Sequence, residues 1–224
     1  MKNTKYNQMI DHTYLKADAT KKDIDKIIKE AKEYNFKTVC VNSSYVEYAK
    51  KELKGTTIGI TSVIGFPLGA CLTSAKAFEA KEAIKAGADE IDMVINIGKL
   101  KDKDYAYVLE DIKEVKKACG QNTLKVIIET ALLNEDEIKK MTEIVMESGA
   151  EFIKTSTGFS TRGANLNDVK LMKSVCGDKL QIKAAGGIST YADLEAMADS
   201  GANRFGTSRS VSILEGTQGN KNDY

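Results

Sequence analysis

Two lysines stand where chemistry explains them more easily than packing does. Lys154 follows Phe152 and Ile153 in the run FIKTSTGFST, and Lys183 follows Ile182 in QIKAAGGIST. Each closes a short apolar stretch and is followed at once by small residues and glycine. An ammonium group is a poor nucleophile near neutral pH, because its unperturbed pKa is about 10.4. A low-dielectric pocket or a neighbouring cation favours the neutral amine. A fall of about three units requires about 4 kcal/mol of differential interaction, which burial plus one like charge can supply. Two lysines facing each other in a protein interior provide both effects, and the product is an amine able to attack a carbonyl and form a Schiff base. Asp92, in EIDMVIN, adds a carboxylate that can shuttle protons while a carbinolamine forms and loses water. A Lys-Asp-Lys group can equally be a structural ion network, since buried ion pairs also perturb pKa values. The residues alone do not rank Lys154 above Lys183.

Such a group needs elements that aim it. Short β-rich runs begin at Gln8, Lys37, Ile58, Glu90, Leu124, Glu151, Leu180 and Asn203, with amphipathic helical stretches between them. From Asn134 onward, Ile138, Met141, Ile144 and Val145 recur at helical spacing, Asn134 with Glu137 resembles a capping box, and Gly149 suits the C-terminal cap. Thr20 with Asp23 opens an earlier helix in a similar way. Strands alternating with helices argue for a parallel sheet, and eight is the number that closes a barrel. The expectation is therefore an α/β fold, a single (β/α)8 TIM barrel over residues 1–224, with a flexible tail from about residue 216. No Pro/Ser-rich linker marks a boundary, and Pro67 is the sole proline.

Strand parity then sorts the side chains. Ile91, Met93 and Ile95 share one face of their strand, and Glu90, Asp92, Val94 and Asn96 the other. Ile182 and Ala184 oppose Gln181, Lys183 and Ala185; Val126 and Ile128 oppose Lys125, Ile127 and Glu129. The uniformly apolar faces should meet the helices and the charged faces should point inward, where buried charges need partners. Asp92, Glu129, Lys154 and Lys183 are expected to meet there. Lys125 comes early in its strand and is expected at the barrel bottom, in a structural or solvated role. Lys154 and Lys183 come later, nearer the face where barrel enzymes place their active sites.

The glycines indicate an anion. Loops after strands seven and eight of barrel enzymes often bind phosphate. Gly186 and Gly187 let backbone N–H groups approach an anion closely, Gly206, Thr207 and Ser208 add further donors, and Gly158 can close a third side. Tight turns are the plainer explanation of the same residues. Arg209 either adds charge to this site or sits on the surface.

Composition narrows the rest. A net charge of +1 gives no reason to expect nucleic acid or an anionic membrane as partner. Cys40, Cys71, Cys119 and Cys176 are far apart, without the spacing of a zinc site, and are read as small buried hydrophobes of a reduced, cytoplasmic protein. His12, the one histidine, is read as a hydrogen-bonded core residue. No apolar N-terminal run or bilayer-length span is seen.

EIDMVIN, FIKTSTGF, IKAAGGI and FGTS, with the earlier IDHT, VCVN and VIGFPLG, resemble the deoxyribose-phosphate aldolase family in consistent order over nearly the whole chain. The resemblance implies a (β/α)8 barrel acting as a metal-independent class I aldolase without a cofactor. Its reaction would be the reversible cleavage of 2-deoxy-D-ribose 5-phosphate to glyceraldehyde 3-phosphate and acetaldehyde, in deoxyribonucleotide catabolism. Carried over by motif, Lys154 is the Schiff-base lysine, Lys183 tunes it and aids proton transfer, and Asp92 donates and accepts protons. Cys40 would lie near the substrate, and the terminal Tyr224 could reach the site to assist proton transfer. Arg209 departs from the pattern, which has a small residue after GTS. Other readings are a different Schiff-base sugar-phosphate lyase and a non-catalytic sugar-phosphate-binding barrel. Partners are expected to be small molecules, a sugar phosphate and acetaldehyde, and a homodimer is one assembly the chain could form.

Overall fold

Eight short parallel strands pair in sequence order, and the last pairs with the first to close a barrel. They are β1 Ile10–Thr13, β2 Thr38–Asn42, β3 Gly59–Ile64, β4 Glu90–Val94, β5 Thr123–Ile127, β6 Phe152–Lys154, β7 Gln181–Ala185 and β8 Arg204–Thr207. The connecting helices are α1 Lys21–Tyr34, α2 Val46–Glu52, α3 Thr73–Ala86, α4 Ile97–Lys101, α5 Tyr105–Cys119, α6 Glu135–Ser148, α7 Leu166–Cys176, α8 Tyr191–Asp199 and α9 Ser210–Glu215. The structure is a computed structural model, and it describes residues 5–217. Tyr224, and most of the tail expected from about residue 216, lie outside the described residues. No helix among them is long and apolar enough to cross a membrane.

The alternation of side chains divides the protein as the sequence predicts. Val39, Val41, Ile60, Ile91, Met93, Val126, Ile153, Ile182, Ala184 and Phe205 belong to the apolar layer between strands and helices. Helix α6 buries Ile138, Met141, Ile144 and Val145 in that layer. Its cap is reciprocal: Glu137 N–H donates to Asn134 Oδ1 at 2.9 Å, and Asn134 N–H to Glu137 Oε2 at 2.9 Å. Helix α1 starts on the Asp23 carboxylate, which accepts from the Thr20 N–H and hydroxyl at 2.8 and 2.6 Å. Each cap satisfies donors that the first helical turn leaves open.

His12 points outward from β1 and is buried, its Nδ1 2.9 Å from Ser210 Oγ and its Nε2 2.7 Å from Glu30 Oε2. It ties β1 to α1 and α9, as a core histidine should. Cys40, Cys119 and Cys176 are buried, but Cys71 is exposed and corrects the expectation for all four. It lies in the loop between β3 and α3, where Leu68 and Leu72 are also exposed.

One fastening outside the barrel was not visible in the sequence. Lys76 on α3 is fully buried, and its Nζ donates to Asp111 Oδ2 on α5 at 2.6 Å. Thr73 Oγ1 donates to the other Asp111 oxygen at 2.7 Å. The Lys76 chain also lies under Gly65, where an added Cβ would stand 3.2 Å from Lys76 Cε and Cγ. The loop after β3 is pinned further along at Gly69, whose φ is +67° and whose Cβ would come within 1.9 Å of Ile95 O. Removing one member of a buried pair strands the other charge. Lys76→Met should therefore lower unfolding free energy by about 3–5 kcal/mol in urea titrations. A paired apolar replacement, Lys76→Met with Asp111→Leu, should recover most of that loss.

Candidate active site

Parity and register direct seven ionisable side chains into the barrel: Asp11, Glu90, Asp92, Lys125, Lys154, Lys183 and Arg204. Asp92 is at their centre. Its Oδ1 accepts from Lys125 Nζ at 2.8 Å, and its Oδ2 accepts from both Lys154 Nζ and Lys183 Nζ at 2.7 Å. Lys154 and Lys183 are Cα partners across β6 and β7, and Asp92 and Lys125 across β4 and β5. The two lysines of the opening motifs thus meet on one oxygen.

The other charges form the surrounding frame. Lys183 also binds Asp11 Oδ2. Arg204 Nε donates to Asp11 Oδ1 at 2.7 Å, and its Nη2 to Glu90 Oε2 at 2.6 Å. Lys125 Nζ reaches Glu90 Oε2 at 2.6 Å. Thr38 Oγ1 donates to Asp11 Oδ1 at 2.7 Å. Arg204 lies over the inward ring of Phe152, 5.9 Å from its centroid.

Counted by sign, three carboxylates (Asp11, Glu90, Asp92) face four cations (Lys125, Lys154, Lys183, Arg204), all of them buried. An uncompensated buried charge is costly, and a group that can neutralise does so. An arginine does not give up its proton. Lys125 is held by Glu90 and Asp92, with Asp11 at 3.8 Å, and Lys183 by Asp11 and Asp92, whereas among the described residues Lys154 pairs only with Asp92, which it shares. Lys154 is therefore the cheapest cation to neutralise. Burial pushes its pKa down, Lys183 pushes it further, and Asp92 opposes them without prevailing. Burial acts the same way on Lys183, but Asp11 and Asp92 outweigh it and hold that ammonium charged. Burial would raise the Asp92 carboxyl, yet Lys125, Lys154 and Lys183 hold it well below the usual range. The pair left unranked by the sequence is ranked by its neighbours.

Access agrees with this ranking. A cavity of about 230 Å³ lies at the C-terminal ends of β1, β6, β7 and β8, and Lys154 lines it, together with Thr13, Leu15 and Thr157. Gly158, Gly186, Gly187, Gly206, Thr207 and Ser208 line the same cavity, so all the residues expected at an anion site come together. Gly186 and Gly187 take φ of +71° and +74°, and a Cβ on the facing Gly163 would come within 2.3 Å of Gly186 C. The loops after β6 and β7 thus meet backbone to backbone.

Some expected roles change. Gly186 N–H donates to Gly206 O at 3.3 Å, so it is already engaged. Gly206 owes its identity to Lys183 as well, since a Cβ there would stand 3.1 Å from Lys183 Cε. Thr207 Oγ1 accepts from the Arg209 N–H at 3.0 Å and shapes the turn. Cys40 packs with Leu15 and Val63, and burial raises its thiol pKa.

Glu129 does not join the charged group. Strand β5 ends at Ile127, the backbone at Glu129 has φ of +54°, and the carboxylate turns to the loop after β6. There its Oε2 accepts from the Thr157 N–H at 3.2 Å and from the Thr157 hydroxyl. Lys125 is structural, as one of two expectations had it, but fully buried rather than solvated, and it shares the Asp92 carboxylate. Asp11 and Arg204 were missed. Asp11 sits in IDHT beside the more conspicuous His12, and parity would have placed both residues inward, as it did Glu90.

Comparison with known proteins agrees with this architecture. A family model described as DeoC/LacD family aldolase matches residues 6–215. The chain is 63% identical over 213 residues to the deoxyribose-phosphate aldolase of Mycoplasmopsis synoviae, covering 94% of this chain and 96% of that one. It is 53% identical over 219 residues to that of Staphylococcus carnosus, covering 98% and 99%. Among solved structures, an aldolase named QR15 matches with a TM-score of 0.91 at 41% identity, covering 94% of this chain and 95% of that one. The deoxyribose phosphate aldolase of Aeropyrum pernix, described as a unique tetrameric structure, matches with a TM-score of 0.85 at 30% identity, covering 95% and 90%. With a closed eight-stranded barrel, full-length similarity and a buried lysine open to a cavity, the chain belongs to the DeoC/LacD family of aldolases.

Proposed function

We propose that this aldolase reversibly cleaves 2-deoxy-D-ribose 5-phosphate to glyceraldehyde 3-phosphate and acetaldehyde, through a Schiff base on Lys154. The observation that carries the reading is that, among the described residues, Lys154 alone joins the two halves of the site. Its amine is in the charged cluster, 2.7 Å from Asp92 Oδ2, and it lines the cavity.

The steps follow from that position. The neutral Lys154 amine adds to C1 of the open-chain sugar, and the carbinolamine loses water to give an iminium. Removal of the C3 hydroxyl proton then breaks the C2–C3 bond. The bonding electrons flow into the iminium, glyceraldehyde 3-phosphate departs, and an enamine of two carbons remains on Lys154. Protonation at C2 and addition of water release acetaldehyde and restore the amine. Asp92 is the base and acid nearest the reacting nitrogen, and its Oδ2 also touches the Lys183 ammonium at 2.7 Å. A proton can therefore pass between substrate, Asp92 and Lys183. The phosphate lies among Gly158, Gly186, Gly187, Gly206, Thr207 and Ser208, where the N–H groups of Gly158, Gly187 and Ser208 have no protein acceptor among the described residues. No cofactor takes part. A cytoplasmic place in deoxyribonucleotide catabolism accords with four unpaired cysteines.

Acetaldehyde plus borohydride should add a stable two-carbon label to Lys154, found by mass spectrometry of peptides. Lys154→Ala should lose the label and at least about 10³-fold in turnover, the scale expected when a nucleophile is removed. Absence of label from the wild-type chain, with sugar-phosphate binding intact, would sink the Schiff-base reading in favour of a binding protein.

The pH dependence has a defined sign. Deprotonation of Lys154 produces the nucleophile, so the trapping rate should rise with pH, with a midpoint below the ordinary lysine value of 10.5. Lys183→Met removes a like charge and leaves three carboxylates facing three cations. Lys154 then gains by staying protonated, and the midpoint should move up. A midpoint unmoved or lowered in a folded Lys183→Met variant would contradict the role given to Lys183.

A further inference from the structure

We infer that Arg209 is the cationic partner of the substrate phosphate, and that it sets the preference of this barrel for phosphorylated over neutral sugars; the inference rests on the functional reading above. Arg209 is half-buried and lines the cavity beside Ser208, on the loop that leaves β8. Its backbone is fixed, with its N–H on Thr207 Oγ1 at 3.0 Å and its carbonyl accepting from Ile213 N–H at 3.0 Å. Its side chain crosses to the loop after β7, where Nη1 donates to Ser189 Oγ at 3.2 Å. Ser189 lines the cavity too, and is itself held by its N–H on Asp193 Oδ2 at 3.0 Å. The guanidinium therefore bridges the two loops that present Gly187 and Ser208.

The charge distribution of the lining gives this position its meaning. Among the described residues no carboxylate lines the cavity, and the cations that do are Lys154 and Arg209. Lys154 is hydrogen-bonded to Asp92 and must be neutral to react. It cannot serve as the standing counter-charge for a phosphate that carries a charge of about −1.5 to −2 near pH 7. Backbone N–H groups orient such an anion without neutralising it. A guanidinium adds a permanent charge and a planar fork of donors that matches phosphate oxygens. The two cations also differ in distance from the chemistry: one is in the charged cluster, the other at the loops after β7 and β8. A sugar phosphate with its aldehyde carbon at Lys154 and its phosphate at Arg209 spans that arrangement.

The test compares kcat/KM for 2-deoxyribose 5-phosphate and for 2-deoxyribose in the full chain, Arg209→Ala and Arg209→Lys. The ratio between the two substrates should fall about 10- to 100-fold in Arg209→Ala, the range for losing a hydrogen-bonded charge, mainly through KM. Arg209→Lys should recover part of it. An unchanged ratio, or an equal loss on both sugars, overturns the inference while leaving the aldolase reading intact. Thermal unfolding reports whether each variant is folded; if Arg209→Ala is not, a ratio in Arg209→Lys equal to wild type overturns the inference and a lowered one supports it. If the wild-type chain cleaves neither sugar, the functional reading fails by itself. Calorimetry with inorganic phosphate then decides on Arg209: weaker binding by the variant supports it, and equal binding overturns it.

Discussion

The carboxylate of Asp92 accepts from Lys125 through one oxygen and from Lys154 and Lys183 through the other. Around this contact the barrel interior is arranged. Three lysine tails can converge on one small acid because their strands are neighbours in a closed parallel sheet, and because Gly206 leaves room for the Lys183 chain. Asp11, Glu90 and Arg204 then hold the remaining charges so that one cation is in surplus. A buried ion cluster is weak evidence for stability, but its composition here has a chemical consequence. The site favours release of one proton, and the contacts decide which lysine releases it.

The cavity beside this cluster depends on backbone rather than charge. Gly163 and Gly186 meet where no side chain fits, which draws the loops after β6 and β7 together. Glu129 holds Thr157 from the neighbouring strand end, at a φ that a non-glycine residue seldom adopts. These contacts fix the loop carrying Gly158 relative to Lys154. The charged cluster and the glycine loops are thereby separate constructions, one built from charges within the barrel and one from backbone at its mouth. They meet at Lys154.

Much of this was legible in the chain. The barrel followed from eight alternating strands, and the inward direction of Lys154, Lys183 and Asp92 followed from parity, because side-chain alternation is a local property. Glu129 misled because parity assumes a continuing strand, and β5 ends two residues before it. The sharing of Asp92 by Lys125 was not foreseen, because position along a strand does not reveal the reach of a lysine side chain toward the next residue layer. Asp11 and Arg204 could have been found by the same parity argument. What no local pattern contains is the pairing of Lys183 with Asp11, from strands far apart in sequence, and that pairing separates the two lysines in protonation. The Lys76–Asp111 pair is hidden for the same reason, since neither helix alone shows that its polar residue faces the other.

The central claim is that Lys154 gives up its proton while Lys183 keeps its own. Nitrogen-15 NMR of lysine side chains, with Lys154 and Lys183 assigned by substitution, reads the two amines separately without any substrate. The account predicts that the Lys154 nitrogen passes from ammonium to neutral amine below 10.5 on a pH titration, while Lys183 remains an ammonium throughout that transition. A Lys183 nitrogen that titrates first, or a Lys154 that stays protonated beyond the ordinary lysine value, would contradict it.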